Sequence, residues 1–184
     1  MRYSTLGILI SILLTTGCES VKTRTDHDPS IDFSTYHSFA WVSDDMSLSV
    51  QHDISPLTGE RIRKSVAATL TGKGFAFTED RTAADFLVGF TVGSRDRVRV
   101  DANAYPVGFA GPYRWGRTYY QDIDVRNYTE GRLAIDVFDV RLKRPVWHGF
   151  ATKSLSVRDR EDPEGLIGRA VTGILADFPP VSAP

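Results

Sequence analysis

Two side chains in this sequence, Asp136 and His148, are spaced so that they could act together as a base and its orienting group. They lie on opposite arms of residues 128–157, whose pattern predicts two strands joined by a short basic turn. Residues on opposite arms of an antiparallel hairpin become neighbours, so a carboxylate there would orient the imidazole ring. A paired histidine on a surface is the commoner arrangement, and no nucleophile or metal cluster accompanies this pair. We therefore do not predict an enzyme, and the alternative is an uncharacterised hydrolase-type activity.

Other sequence signals of chemistry are weak. The chain has no Gly-x-Ser-x-Gly motif, no phosphate-binding glycine loop and no His-Glu-x-x-His pair. Asp26-His27-Asp28 combines residue types that bind metals, but three adjacent residues in a polar, aperiodic segment rarely converge on one ion. We predict no cofactor and no metal site.

The N-terminal residues predict export and lipid attachment. A positively charged start is followed by an apolar run at 6–14, too short to span a bilayer, and by small uncharged residues at 15–17. Cys18, the single cysteine of the chain, follows directly, as in a bacterial lipobox whose thiol is lipidated. Thr15 stands where leucine is usual. The alternative is an ordinary secreted protein with an accidental cysteine near its cleavage site.

The polar and charged residues after Cys18 predict a flexible tether. The predicted organisation is a signal peptide at 1–17, the lipidated cysteine and tether at 18–30, and one domain at 31–184. Stable anchoring takes more than one acyl chain, which lipoprotein maturation supplies. A membrane is therefore the first predicted partner, contacted through the lipid anchor from its periplasmic face.

Composition narrows the remaining partners. The 184 residues are 41% hydrophobic and 24% charged, which is typical of one globular domain with a real core. The formal net charge of -1 argues against a nucleic-acid binder, because the phosphate backbone is usually met by a strongly basic surface. The sequence does not indicate an oligomeric state.

The periodicity of apolar residues predicts a two-layer α+β domain. One helix is predicted at 56–73, and a second follows Asp162-Pro163 and ends at Pro179-Pro180. Predicted strands lie at 37–42, at 75–78, from 85 through 99, and on both arms of the hairpin. We expect a mostly antiparallel sheet of about four to five strands with two helices packed on one face.

An arginine row is the first candidate contact surface. Arg95, Arg97 and Arg99 would project from one face of an extended strand and could hold an anionic group. More often such a row keeps a sheet face or edge charged, which prevents pairing with another sheet.

An aromatic, glycine-rich segment at 102–127 is the second candidate. We predict a long loop there, and loops of this length are usually functional. One interpretation makes it a partner-binding surface that uses Tyr113, Trp115 and Tyr119. The other interpretation makes it a lid on the hairpin, which has apolar side chains on both faces. The lid would cover the face on which Phe138 lies.

Short segments along the whole domain carry a resemblance to a known family. They are Asp32 to Trp41, Leu70 to Phe75, Ala84 to Val88, Tyr128 to Asp139, Val146 to Gly149 and Phe178 to Pro180. In this order they resemble the bacterial lipoproteins grouped as domain of unknown function 4136. The resemblance implies a lipobox, a single domain, an aromatic insertion before the hairpin and no established reaction. His148 stands where the family commonly has arginine, so that arginine's role does not transfer.

Together these observations predict a membrane-anchored, non-catalytic lipoprotein that contacts another protein of the bacterial envelope. The resemblance, and Glu19 in place of the aspartate that commonly retains such proteins at the inner membrane, favour the outer membrane. The alternative is a binding protein for a small anionic or lipidic ligand.

Overall fold

The computed structural model describes residues 21–43, 55–107 and 118–180, with the backbone alone at 101–107 and 118–122. The predicted signal peptide and Cys18 lie outside the described residues.

Six strands and three helices follow one another along the described chain. They are β1 (Lys22–His27), β2 (Ser38–Trp41), α1 (Pro56–Gly72), β3 (Ala76–Phe77), β4 (Phe86–Val107), β5 (Thr118–Asp139), β6 (Arg144–Ser154), α2 (Val157–Glu161) and α3 (Pro163–Leu175). The strands form one mixed sheet in the order β1-β6-β5-β4-β2-β3. Strands β1, β6, β5 and β4 are antiparallel neighbours, whereas β2 runs parallel to both β4 and β3.

The predicted α+β class is confirmed, but the predicted element count is too low. The sheet has six strands instead of four to five, and a short third helix, α2, precedes the predicted second helix. Helix α2 forms because Ser156 and Asp159 cap each other's backbone amides at its start.

The two longer helices each bury an apolar stripe. In α1 the stripe is Ile62, Val66 and Leu70, all fully buried. In α3 it includes Val171 and Ile174, also fully buried. Because residues three and four apart share a helix face, this spacing turns one side of each helix toward the sheet.

The opposing sheet face supplies the rest of the core. Leu133, Ile135 and Val137 alternate along β5 and are buried, as the hairpin pattern predicts. On β6 the ring of Trp147 lies over Gly149, where a methyl group would come within 2.6 Å of Cγ2 of Ile174. Only glycine therefore fits at Gly149 without displacing buried side chains.

The flexible tether predicted at 18–30 is wrong for the residues that form β1. This strand pairs with β6 from Lys22 opposite Thr152 to His27 opposite Trp147. It lies at the edge of the sheet, where charged side chains are tolerated and hinder pairing with another sheet. The domain therefore begins close to Cys18 in sequence.

The loop predicted at 102–127 is also corrected. Residues 102–107 continue β4 and residues 118–127 belong to β5, and the two segments pair in antiparallel register. They are paired with each other instead of lying across the sheet as a lid. A Cβ atom built at Gly89 would lie 3.6 Å from the side chains of both Phe138 and Val42. Val42 therefore lies near Phe138 and covers part of that face.

Candidate interaction surface

The β4–β5 hairpin extends beyond the rest of the sheet as a two-stranded ribbon. Strand β6 pairs with β5 only as far as Glu130, opposite Ser154, and β2 leaves β4 at Val88. We use the name ribbon for residues 96–107 and 118–129, which pair with each other. At its base the amide of Leu155 also donates to the carbonyl of Thr129 at 2.8 Å. Its strands are roughly 40 Å long at the usual rise of a β-strand.

A ribbon of this kind is an unusual structure for a protein to expose. An isolated two-stranded hairpin is at best marginally stable in water, and it needs further strands or an apolar contact. Its two faces differ in chemistry, because side chains alternate along each strand.

One face of the ribbon is charged and continues the open side of the sheet, with Asp124 paired to Arg126 at 2.6 Å. The structure places Arg95, Arg97 and Arg99 on this face, as the sequence predicts. Glu130 accepts from Nε of Arg95 at 2.9 Å and from Nε of Arg97 at 3.2 Å. The guanidinium of Arg99 lies over the ring of Tyr128, 5.8 Å from its centroid.

Glu130 changes what this arginine row can bind. The hydrogen bond from Arg95, supported by Arg97, holds the pKa of Glu130 below its usual range, so the carboxylate stays ionised. This carboxylate already pairs with the guanidinium groups of Arg95 and Arg97. A shallow hollow of about 220 Å³ beside them is lined by Arg95, Arg132 and Glu130, and so combines both signs of charge.

The opposite face of the ribbon is aliphatic and exposed. Its described members are Val98, Val100, Ile123 and Val125, each 58–63% exposed. Val100 lies directly opposite Val125, and Ile123 is opposite Ala102, so these side chains form one continuous strip. The strip continues the face that carries Val92 and Leu133 in the core, but no helix among the described residues covers it.

The sequence contains a signal for the aliphatic strip, although the predicted loop included part of it. Val98 and Val100 alternate with arginines, and Ile123 and Val125 alternate with charged residues. This is the period of a strand with one apolar face. The aromatic and glycine-rich composition of the segment between them favoured a loop instead.

The predicted aromatic contacts are located only in part. Tyr119 belongs to β5 and lies opposite Pro106 in the register. Tyr113 and Trp115 lie outside the described residues.

The predicted histidine–aspartate pair is present on the open side of the sheet. Nδ1 of His148 lies 2.6 Å from Oδ1 of Asp136, and the two side chains are 41% and 31% exposed. In the register His148 lies between Asp136 and Asp26. The carboxylate can orient the ring, which is one component of an acid–base site.

The residues of Asp26-His27-Asp28 do not converge. Asp28 accepts from Ser30 and forms an ion pair with Arg144 at 2.6 Å, whereas His27 packs edge-on against Phe33. Among the described residues no group of three histidine, cysteine or acidic side chains is arranged to hold a metal ion. The helices in these ranges also include none that is long and apolar enough to cross a bilayer.

Comparison with known proteins places the chain beside others of the same architecture. A family model described as "Domain of unknown function (DUF4136)" matches residues 23–180. No curated protein matches the chain.

Three solved structures share the fold at low identity. A DUF4136 family protein from Bacteroides thetaiotaomicron is 14% identical with a TM-score of 0.54, over 88% of this chain and 97% of that one. A PDZ domain protein from Parabacteroides distasonis is 13% identical with a TM-score of 0.56, over 89% of this chain. The match spans only 37% of the PDZ protein's length. A PelC dodecamer from Paraburkholderia phytofirmans is 13% identical with a TM-score of 0.50, over 85% of this chain and 95% of that one.

Proposed function

The chain belongs to the family of domain of unknown function 4136, and from this membership we propose that it is a lipid-anchored, non-catalytic interaction module of the bacterial envelope. The anchor is Cys18, and the domain lies on the periplasmic face of a membrane, in our proposal the outer one. The observation that carries the interaction role is the ribbon with its uncovered aliphatic strip.

The chemistry of the strip defines its partner. Val98, Val100, Ile123 and Val125 carry no charge and no hydrogen-bonding side-chain atom. Removing such groups from water is favourable in proportion to the apolar area that is buried. A partner surface must therefore be apolar and long enough to follow a ribbon.

A second copy of the chain meets both requirements. Two strips related by a two-fold axis would pack face to face, since each presents the same aliphatic residues. The charged side chains on the other face and along the strands oppose edge-to-edge pairing. The dodecameric state of PelC supports the idea that a chain of this fold can assemble with copies of itself.

The alternative was a binding protein for a small anionic or lipidic ligand, and its anionic form has less support. Glu130 places a carboxylate among the arginines that would hold the anion. A carboxylate beside a bound anion adds repulsion to the site. We therefore place the function in the aliphatic strip.

Substitution of Cys18 by serine is expected to abolish lipid attachment. Wild-type chain should carry a metabolically supplied fatty-acid label and sediment with membranes, because acyl chains provide the membrane affinity. C18S should carry no label and appear in the soluble fraction, and S20A, a neighbouring polar change, should behave as wild type. An unlabelled intact wild-type chain, or a C18S chain equally bound to membranes, contradicts the anchor.

Removing two valines from the strip is expected to weaken self-association. The paired change V98S and V100S should raise the dissociation constant by at least about tenfold, which corresponds to 1.4 kcal/mol. The measurement is sedimentation equilibrium over a range of protein concentrations. Secondary structure should change little, and so should the thermal midpoint at concentrations where both proteins are monomeric, because both side chains are about 60% exposed in the single chain.

The matched control changes the other face of the same strand. R97S and R99S remove two side chains between and beside the same valines, and should alter the dissociation constant by less than about threefold, as expected for exposed charges. Equal effects of the two variants, or a wild type that stays monomeric throughout, would refute self-association through the strip. Photocrosslinking from position 100 in cells then shows whether a different envelope protein occupies it.

A further inference from the structure

A cavity of about 250 Å³ opens at the end of the domain from which the ribbon extends. It lies between the helices and the sheet, and its lining is chiefly aliphatic. The main contributors are Val92, Leu133, Ala151, Leu155, Leu166 and Ala170. An apolar cavity of this kind favours a hydrocarbon ligand.

Four charged residues line the cavity, and two of them, Arg132 and Arg160, are exposed to solvent. Lys153 and Asp159 form an ion pair with each other, and Asp159 also accepts from the amide and the hydroxyl of Ser156. Asp159 is 5% exposed. Since the polar atoms of this buried pair are satisfied inside the protein, the pair offers little to a polar ligand.

The N-terminal end of the described chain lies at this cavity. Val21 is part of its lining, and the next residue, Lys22, is fixed opposite Thr152 by the β1–β6 ladder. Cys18 precedes Val21 by three residues, which reach at most about 10–11 Å when fully extended. A group attached to the sulfur of Cys18 is therefore held beside the cavity.

We propose that one acyl chain carried by Cys18 inserts into this cavity. The inference rests on the proposed lipid anchor. Because the segment between Cys18 and the cavity is short, the acyl chain has a high effective concentration at the cavity. Insertion into the cavity can therefore compete with insertion into the bilayer. The domain is then held with the mouth of the cavity toward the membrane instead of swinging on a tether.

A photoreactive fatty acid tests the proposal in the full chain. Cells producing the protein receive a palmitic acid analogue with a diazirine in its hydrocarbon chain and are irradiated, and the protein is then purified and mapped by mass spectrometry. The expected photoproducts lie on peptides that contain Leu155, Leu166 or Ala170. Labelled protein whose photoproducts lie elsewhere, or only on bilayer lipids, overturns the insertion while leaving the anchor intact.

Filling the cavity should remove these products. Leu166→Trp and, from the strand side, Leu155→Trp should each reduce them by at least about fivefold, because added volume leaves no room for the chain. Leu142→Trp, at a half-exposed position in the β5–β6 turn, should leave them unchanged. Thermal unfolding identifies a variant that fails to fold, and the wild-type map decides the question without the variants.

A differently tagged C18S copy in the same cells separates the two sources of hydrocarbon. If the chain inserts into its own protein, photoproducts should appear on the lipidated copy alone. Photoproducts in the cavity of the C18S copy would mean that lipid from elsewhere fills it, which contradicts the proposal. A wild type with no fatty-acid label at all removes the anchor and the insertion together.

Discussion

Replacing Phe178 by alanine is expected to lower the free energy of unfolding by about 3–5 kcal/mol, the usual cost of deleting a buried phenylalanine ring. Phe178 is fully buried just beyond the end of α3. Its ring has four aromatic neighbours with centroids 5.2–6.1 Å away, two in the sheet and two in the segments that precede β2 and β3. They are Phe33, Phe75, Phe86 and Trp147. Because close packing surrounds the ring, the cavity left by its removal cannot collapse fully.

The matched control for Phe178 is Phe77→Ala. Phe77 lies in β3 and is 49% exposed, so the same chemical change removes much less buried surface. Urea unfolding of the full chain should show the midpoint of F178A displaced far more than that of F77A, with similar slopes. Equal displacements would mean that the aromatic cluster does not hold the layers together.

Phe178 also shows what the sequence could predict about the core. Its apolar character and its place three residues after Leu175 suggested a continuing helical stripe, and its burial agrees with that pattern. The helix nevertheless ends at Leu175, and Phe178 reaches the core from the following turn. Hydrophobic periodicity predicts that a residue is buried, but the end of an element depends on packing that is distant in sequence.

Edge strand β1 and the ribbon escaped prediction for related reasons. In β1, Lys22, Arg24 and Asp26 give no apolar alternation, because an edge strand gains its backbone hydrogen bonds from one neighbour and exposes its side chains. In the ribbon, pairing joins residues up to 33 positions apart, such as Asp96 and Thr129, and no local pattern encodes such a register. Strong local periods, as in α1 and in the part of β5 from Leu133 to Val137, were predicted correctly.

The candidate surface could also be predicted only in part from the sequence. Alternation alone placed Arg95, Arg97 and Arg99 on one face, which the structure confirms. That Glu130 joins two of them follows only from the register, since Arg95 lies opposite Glu130 across β4 and β5. The charges of one strand alone therefore do not predict which ligand a row of arginines can bind, because the facing strand can supply their partners.

Substituting Asp159 by asparagine is expected to cost about 3–5 kcal/mol of stability, because it leaves the ammonium of Lys153 buried without its counter-charge. The two side chains are only 4% and 13% exposed. Asp159 also accepts from the amide and hydroxyl of Ser156, at 2.9 and 2.6 Å, and so holds the start of α2. Urea unfolding measures the loss.

Two further variants separate the lone charge from other causes. The double change K153M and D159N should recover part of the loss, since no unpaired ammonium remains. Glu164→Gln removes an exposed acid that pairs with Lys64 at 3.6 Å, and should cost no more than about 1 kcal/mol. A D159N loss as small as that of E164Q would show that the buried pair contributes little.

The pH dependence of the same variant gives an independent test. Burial alone would raise the pKa of Asp159, but the hydrogen bonds from Lys153 and Ser156 outweigh it and lower the pKa from 3.8 to about 2. A carboxyl whose pKa is lower in the folded state stabilises the protein above its unfolded pKa and loses that contribution as pH falls. The stability difference between wild type and D159N should therefore be largest above about pH 4 and shrink between about pH 4 and 2. A difference that grows on acidification in this range would contradict the assigned ionisation.

Because Lys153 and Asp159 also line the cavity beside Val21, loss of the pair should disturb the cavity wall as well as the fold.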